Sequence, residues 1–197
     1  MRSQKQRSTS VPSPNMADRI VQTSKFLSYV LRHNPEALSL ALDPGGWADV
    51  DTLLDRARAD GRSIDRALLQ RVIAHGEKER FTLSPDETKI RANYGHSIDV
   101  DLDLTPTPPP EHLYHGTAQQ TLPTIQDDGL RPQSRQYVHL SNTQDEAIRV
   151  GSRHGTPVVL TVDAQRLHDA GQSMYRSTDA VWLTDRVPPD FLQGPND

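Results

Sequence analysis

A proline-rich segment near the middle of the chain most constrains the fold. The sequence TPTPPPEH occupies 105–112, and four of its eight residues are prolines. Proline fixes φ and has no backbone N–H, so a stiff, extended linker is predicted here rather than a helix or the interior of a sheet. The linker, at 105–110, divides the chain into 16–104 and 111–197. Lobes of about 90 residues are near the lower limit for an independent core, so the two are expected to pack against each other.

The rest of the composition limits where the protein can work. Residues 1–15 are polar and basic, with no hydrophobic periodicity, and are predicted to be a disordered tail. No run approaches the roughly 18 apolar residues of a membrane helix, and no signal segment follows the N-terminal charges. The chain has no cysteine, which excludes disulfides and thiolate metal sites. A cytoplasmic protein without membrane contact is expected.

The first lobe has the pattern of three helices and a hairpin. Apolar residues recur at helical spacing over 20–31, and Asn34-Pro35 should end that helix because the residue before proline avoids the α region. Asp49 is predicted to cap a second helix and Ser63 a third. The alternating runs RFTLS and TKIRANY then predict a β-hairpin with PDE as its turn. This order is typical of a winged helix, a fold that often binds nucleic acid but also serves other roles.

The second lobe mixes strands and helices. The segments HLYHGT, QYVHLS, TPVVLTVD and DAVWLTD have the composition of strands, and helical stretches separate them. A compact α+β unit is predicted. No G-x-G-x-x-G opens a helix and no G-x-x-x-x-G-K-[ST] is present, so neither a Rossmann nor a P-loop nucleotide site is supported.

The charge pattern requires any phosphate site to be local. The net charge is −4, which does not support attraction of the whole molecule to nucleic acid. Of the 22 cationic residues, 18 are arginine. Arginine binds phosphate with two parallel hydrogen bonds, but arginine-biased codon usage is the favoured explanation for the bulk of the excess.

Several histidines and arginines lie in contexts open to two interpretations. Arg32-His33 ends the first predicted helix and is either a simple charge cap or a phosphate-binding pair. His115 ends a strand next to glycine, where a ligand could approach the backbone. His139 alternates with apolar neighbours and is either a core histidine or a ligand contact. Arg135 precedes that strand.

Cations also lie just before and within the predicted hairpin, at Lys78, Arg80 and Arg91. They indicate either a phosphate-facing surface or ordinary solvated charges. No H-E-x-x-H motif and no carboxylate-rich cluster is present, so no metal is expected.

These segments together resemble the NAD-dependent RNA 2′-phosphotransferases, also called tRNA 2′-phosphotransferases. The matching pieces occur in the family's order between about residues 17 and 192: SKFLSYVLRHNP, GGWADVDTLL, EKERFTL, IRANYGHS, LYHGT, GLRPQSRQYVHLS, VGSRHGTPVVLTVDA and AVWLTDRVPPDFL. Two positions depart from the family pattern, with Tyr94 in place of the usual Gln and Asp179 in place of Asn.

The resemblance implies an α+β fold of two lobes with a cleft between them. The N-terminal lobe would be a winged-helix RNA-binding lobe, and the C-terminal lobe would resemble ADP-ribosyltransferases and bind NAD. The implied catalytic residues are Arg32, His33, Arg80 and Arg135. The implied NAD-binding residues are His115, Gly116, Thr117, His139, Ser141 and Val181. The residues assigned to RNA or phosphate binding are Lys78, Arg91 and His96.

The resemblance also implies a reaction in two steps. The internal 2′-phosphate of RNA attacks C1″ of NAD and expels nicotinamide, which leaves a 2′-phospho-ADP-ribosylated RNA. The O2″ hydroxyl then attacks the phosphorus and expels the RNA 2′-oxygen, which gives 2′-OH RNA and ADP-ribose 1″,2″-cyclic phosphate. NAD is consumed, no metal takes part, and a monomer acting on tRNA-like RNA, in tRNA splicing or RNA repair, is expected.

Two other functions compete with this one. An ADP-ribosyltransferase that caps the phosphate ends of nucleic acids would share the NAD lobe but omit the second step. A winged-helix nucleic-acid-binding protein without catalysis would need neither step, although binding alone would not require His33 beside three arginines.

Overall fold

Six α-helices and two antiparallel sheets make up the part of the chain that the computed structural model describes, residues 15–75 and 79–194. The mixture of α and β predicted from the sequence is therefore confirmed. The helices are α1 (Met16–Arg32), α2 (Val50–Ala59), α3 (Arg66–Ala74), α4 (Leu122–Asp128), α5 (Gln144–Gly151) and α6 (Ala164–Asp169). None of these helices is long and apolar enough to cross a bilayer.

The first sheet has three strands in the order β1-β3-β2, and the second has six in the order β7-β8-β5-β4-β6-β9. The strands of the first are β1 (Ala48–Asp49), β2 (Phe81–Leu83) and β3 (Lys89–Ala92). Those of the second are β4 (His112–Ala118), β5 (Val138–Ser141), β6 (Pro157–Asp163), β7 (Met174–Arg176), β8 (Val181–Thr184) and β9 (Leu192–Gln193).

The N-terminal elements follow the predicted order of three helices and a hairpin. Asn15, which the prediction placed in the tail, caps α1 by accepting from the Asp18 N–H at 2.9 Å, and residues 1–14 lie outside the described residues. Asp49 caps α2 as predicted, accepting from the Thr52 N–H at 2.7 Å. The winged-helix assignment stays a prediction.

The predicted cap of α3 is wrong. Asp65, not Ser63, precedes the helix, and its carboxylate accepts from the Leu68 N–H at 2.7 Å. A carboxylate satisfies a free N–H and also interacts favourably with the positive end of the helix, so it is the stronger cap. The Ser63 carbonyl instead accepts from the Arg19 guanidinium at 3.1 Å.

The second sheet contains the four predicted strands in its centre. The two strands that the sequence did not indicate, β7 and β9, are two or three residues long and lie at its edges. Strands this short carry too few alternating positions to be recognised from periodicity. The core of this part includes Leu113, Leu140 and Leu160, each at most 1% exposed.

A small apolar cluster joins the parts of the chain before and after the predicted linker. Tyr94 packs with Val181 and Leu183, and half-buried tyrosines 137 and 175 cover them. The linker itself lies along β7, where the Thr107 N–H donates to the Met174 carbonyl at 2.8 Å. The division into two domains stays a prediction.

Candidate active site

Arg32 and His33 lie at the end of α1, on a turn that is held from both sides. Asn34 ends the helix and caps the next turn by accepting from the Ala37 N–H at 3.1 Å. Ser97 approaches from the other side: its N–H donates to the Arg32 carbonyl at 2.9 Å, and its hydroxyl lies 2.9 Å from His33 Nδ1. The position of the pair is therefore set by a loop distant in sequence.

The guanidinium of Arg32 is a buried cation. Its centre lies 4.8 Å from the ring centroid of Tyr94, and Phe81 lies 5.9 Å away. The pKa of Arg32 is lowered to about 10, mainly by burial and also by the charges of Arg80 and Arg135, and Tyr94 opposes the shift. Nε and Nη2 of Arg32 are buried with no hydrogen-bond partner among the described residues. Buried donors of this kind are costly, so they indicate a place for an anion.

Arg80 and Arg135 reach the same region from different sheets. Arg80 precedes β2 in the first sheet and Arg135 precedes β5 in the second, yet both lower the pKa of Arg32. His33 is in range as well, because its pKa is lowered by burial and then by Arg32 and Arg135. The fold thus brings together the four residues predicted to be catalytic, which we call the arginine cluster (Arg32, Arg80, Arg135 and His33).

A loop between the two sheets supports this cluster. Gly95 has φ +87, and a side chain there would come within 3.3 Å of Arg32 Nη1, so the position favours glycine. The loop is tied down on the far side, where the Asn93 carbonyl accepts from the Ser177 hydroxyl at 2.7 Å and the His96 carbonyl accepts from the Gln136 N–H at 3.0 Å.

The three residues predicted to bind RNA differ in their surroundings. Lys78 lies outside the described residues. The half-buried Arg91 stacks over Trp47, with its guanidinium carbon 4.6 Å from the ring centroid. His96 is only 1% exposed, and burial lowers its pKa to about 4, so its ring is neutral at pH 7 and closed off from solvent. A direct contact between His96 and RNA stays a prediction and would need the loop to open.

His115 and His139, which we call the histidine pair, lie where β4 and β5 meet. The strands pair at Tyr114 and Ser141, and His115 Nδ1 lies 3.0 Å from the His139 carbonyl. Burial lowers the pKa of His115. Burial also lowers the pKa of His139 to about 3, with Arg135 as the next cause. Both rings are therefore neutral at pH 7, and His139 Nε2 is buried with no hydrogen-bond partner in the part of the chain that the structure describes.

Gly116 is required by packing. A side chain there would lie 1.7 Å from the Ala147 carbonyl oxygen, so α5 packs directly against the backbone of β4. The prediction that NAD approaches the Gly116 backbone stays a prediction; α5 is the close neighbour on the side where a Cβ would stand. The Thr117 hydroxyl lies 2.6 Å from that of Thr121. Ser141 and Val181 are buried and lie opposite each other on β5 and β8.

Tyr94 connects the arginine cluster to the histidine pair. Its ring lies under the Arg32 guanidinium on one side and makes an edge contact with the ring of His139, with 6.0 Å between the centroids. The positively charged arginine cluster, which suits an anion, is therefore separated by one aromatic ring from the neutral histidine pair, in which one buried nitrogen has no hydrogen-bond partner among the described residues. Such an arrangement can hold a phosphate beside a second polar substrate and stabilise charge that develops between them.

Sequence reasoning missed Ser97 and the contacts of Tyr94. Both lie beside His96 in the NYGHS segment, but neither carries a charge at pH 7, so the charge pattern of the sequence does not point to them. Among the described residues, no group of three or more His, Cys, Asp or Glu side chains could hold a metal ion.

Comparison with known proteins gives a consistent result. The sequence profile described as RNA 2'-phosphotransferase, Tpt1 / KptA family matches residues 18–186. A probable RNA 2'-phosphotransferase of Pseudomonas aeruginosa (strain UCBPP-PA14) is 51% identical over 172 residues, which cover 87% of this chain and 94% of that protein. One from Agrobacterium fabrum is 53% identical over 170 residues, covering 86% and 91%. One from Flavobacterium johnsoniae is 48% identical over 170 residues, covering 86% and 93%.

Proposed function

The chain belongs to the RNA 2′-phosphotransferase (Tpt1/KptA) family, and from this membership we propose that it removes a 2′-phosphate from RNA by transferring the phosphate to NAD. The observation that carries the phosphate half is the buried Arg32, two of whose guanidinium nitrogens have no partner among the described residues, in electrostatic contact with Arg80 and Arg135. A phosphate monoester would supply the missing acceptors and offset the repulsion among the three cations.

The NAD half rests on the histidine pair. The buried Nε2 of His139 lacks a hydrogen-bond partner among the residues described, and the low pKa of this ring keeps it neutral, which suits a hydrogen bond to a ribose hydroxyl or an amide. The residues around the pair would complete this site: Gly116, Thr117, Ser141 and Val181. Because the ring of Tyr94 contacts both Arg32 and His139, the two substrates would meet beside it.

The two-step chemistry is the one that the family resemblance implies, and this juxtaposition is compatible with it. A 2′-phosphate oxygen forms a bond to C1″ of NAD, and the bond to the nicotinamide nitrogen breaks with its electron pair. O2″ then loses its proton and bonds to phosphorus, while the bond from phosphorus to the RNA 2′-oxygen breaks and that oxygen takes up a proton. The arginines would stabilise the negative charge that develops on the phosphate oxygens in the second step, as O2″ bonds to phosphorus.

His33 is the candidate proton donor for the RNA 2′-oxygen. Its ring is neutral in the free protein because burial, Arg32 and Arg135 lower its pKa. A bound phosphate offsets the charges of these arginines and so raises the pKa of His33 towards the range of a general acid. The Ser97 hydroxyl at Nδ1 would keep the ring in place during this change.

We assign the two parts of the chain on the same basis. The helices α1–α3 and the three-stranded sheet would form a winged-helix RNA-binding lobe, and the six-stranded sheet would form a lobe like that of ADP-ribosyltransferases. The arginine cluster draws on both, since Arg32 and Arg80 come from the first and Arg135 from the second.

The decisive experiment follows the fate of a radiolabelled oligonucleotide with one internal 2′-phosphate. With NAD and excess EDTA, we expect 2′-OH RNA, nicotinamide and ADP-ribose 1″,2″-cyclic phosphate, and without NAD we expect no reaction. A stable adduct on a 5′- or 3′-terminal phosphate, with the internal 2′-phosphate left unchanged, would identify the capping activity instead. Binding of the RNA without any NAD-dependent product would identify a non-catalytic protein.

A further inference from the structure

Tyr29 is a large aromatic side chain that the fold leaves 48% exposed. It lies on α1, whose other face buries Leu27, Val30 and Leu31 completely. Neither the core nor the arginine cluster accounts for an aromatic ring in this place. Burial of an exposed aromatic ring against a flat apolar partner would be favourable, so its position relative to the site is informative.

The orientation of the Tyr29 ring is fixed although the ring is exposed. Asn34 Nδ2 donates to the Tyr29 hydroxyl at 2.8 Å, and Asn34 Oδ1 accepts from the Ala37 N–H at 3.1 Å. Because the side-chain oxygen of Asn34 must face the N–H of Ala37, only the NH₂ group of the Asn34 amide can face the tyrosine hydroxyl. A ring held in this way loses little conformational entropy when a partner packs on it.

Tyr29 is one helical turn away from His33. The His33 N–H donates to the Tyr29 carbonyl at 3.0 Å, so helical bonding continues to this point. Residues four apart lie on the same side of a helix, separated by about 6 Å along its axis. Lys25, also exposed, lies one further turn back. Lys25, the ring of Tyr29 and His33 thus follow one another along one side of α1.

We propose that Tyr29 stacks on the base adjacent to the nucleotide that carries the 2′-phosphate, and that Lys25 contacts the RNA backbone beyond that base. This inference rests on the proposed function, because the phosphate at the arginine cluster sets the register of the strand. Proteins that bind single-stranded nucleic acid combine aromatic platforms with cations in this way. Stacking on a tyrosine accepts any base, so the contact would select unpaired RNA without selecting its sequence.

The test compares the wild-type protein and its variants on two substrates. The substrates are 2′-phosphorylated oligonucleotides that either keep every base or carry abasic residues on both sides of the phosphorylated nucleotide. For the wild-type protein we expect removal of the flanking bases to raise KM about 10-fold with little change in kcat. Tyr29→Leu should raise KM by a similar factor on the intact substrate and should no longer distinguish the two substrates.

Tyr29→Phe separates stacking from support of the turn. This variant keeps the ring but loses the hydrogen bond from Asn34, so stacking predicts that it retains most of the preference for flanking bases. If Tyr29→Phe is as impaired as Tyr29→Leu, the residue acts through Asn34 on the turn, and the proposal is wrong. Val21→Ala, at an exposed position on the same helix, should behave like the wild-type protein.

Lys25→Gln tests the other half of the proposal. It should weaken the binding of both substrates equally. It should also make the dependence of KM on salt shallower, since one phosphate contact is lost. An unchanged dependence of KM on salt would show that Lys25 does not contact the RNA backbone. A wild-type protein that turns over both substrates equally well overturns the stacking contact alone. One that turns over neither overturns the proposed function, and with it the premise of this inference.

Discussion

The arginine cluster and the histidine pair are held in place in opposite ways. Arg80 and Arg135 each repel Arg32, and the three meet because α1 and the two sheets bring them together; two buried nitrogens of Arg32 have no hydrogen-bond partner among the described residues. The histidine pair lies on adjacent strands, is neutral, and is fixed by a hydrogen bond from one ring to the other residue's backbone.

Substitutions in the two groups should therefore have different effects, mainly on activity in the arginine cluster and mainly on stability around the histidine pair. Changes in the arginine cluster should alter chemistry while leaving the fold intact or even stabilising it, because the cluster is itself unfavourable without an anion. Changes around the histidine pair should alter the fold first, because its position depends on backbone contact between β4 and α5.

The largest effect should come from Gly116→Ala. Its new methyl group would lie 1.7 Å from the Ala147 carbonyl oxygen, so β4 and α5 must separate. We expect a loss of about 4 kcal/mol or more in the free energy of unfolding, measured by urea denaturation. Gly61→Ala is the control for a glycine without close packing: its φ is +79, unlike that of Gly116, but no described atom lies within 4 Å of the new methyl group, so it should cost only about 1 kcal/mol. Equal losses would show that α5 does not confine β4.

Arg80→Ala tests the chemistry of the arginine cluster. By analogy with a lost oxyanion donor, we expect the second step to slow by about 10²–10³-fold. The first step needs mainly orientation, because the phosphate is already anionic and nicotinamide leaves readily. ADP-ribosylated RNA should therefore accumulate on denaturing gels after nicotinamide release, and His33→Ala should behave alike. If the 2′-phosphorylated RNA instead stays untouched while both substrates bind normally, these residues serve the first step.

Lowering the pH should act on the buried histidines and not on the arginines. The pKa is about 4 for His96 and about 3 for His139 in the folded protein, both below the unfolded value of about 6.5. The unfolded state therefore binds more protons, so stability falls as the pH drops below about 6.5. At pH 5 each ring should cost about 2 kcal/mol relative to pH 8, as read from urea denaturation.

His139→Gln should show a shallower pH dependence than the wild-type protein in the same measurement. Equal stability of the wild-type protein at pH 8 and pH 5 would contradict the burial of two neutral rings.

Arg32→Met should give the smallest effect on stability and one of opposite sign. Methionine fills a similar volume without a buried charge, so we expect a gain of about 1 kcal/mol in the free energy of unfolding together with loss of phosphate removal. Arg62→Met is the control, because that guanidinium lies 3.9 Å from the ring centroid of Phe26 and pairs with Asp60. The control should lose stability slightly and keep activity. A destabilised Arg32→Met would mean that stacking on Tyr94 outweighs the cost of the charge.

Local signals in the sequence determined most element boundaries. Asn34-Pro35 ended the first helix and Asp49 began the second. The PDE turn joined the two hairpin strands. Each depends on backbone hydrogen bonds or steric limits within about four residues, which neighbouring residues alone specify. The one failed cap had two acceptable acceptors within two residues, Ser63 and Asp65, and the carboxylate of Asp65 interacts more favourably with the positive end of the helix.

The tertiary structure decided what the candidate site is. Nothing in the spacing of Arg32, Arg80 and Arg135 shows that their charges meet, and nothing in GHS shows that His96 is sealed from solvent. Nothing in YHGT shows that α5 packs against Gly116, where an added Cβ would lie 1.7 Å from the Ala147 carbonyl oxygen. Burial and the proximity of charges depend on which distant segments pack together, and that is set by the contact of whole sheets and helices rather than by any short pattern in the sequence.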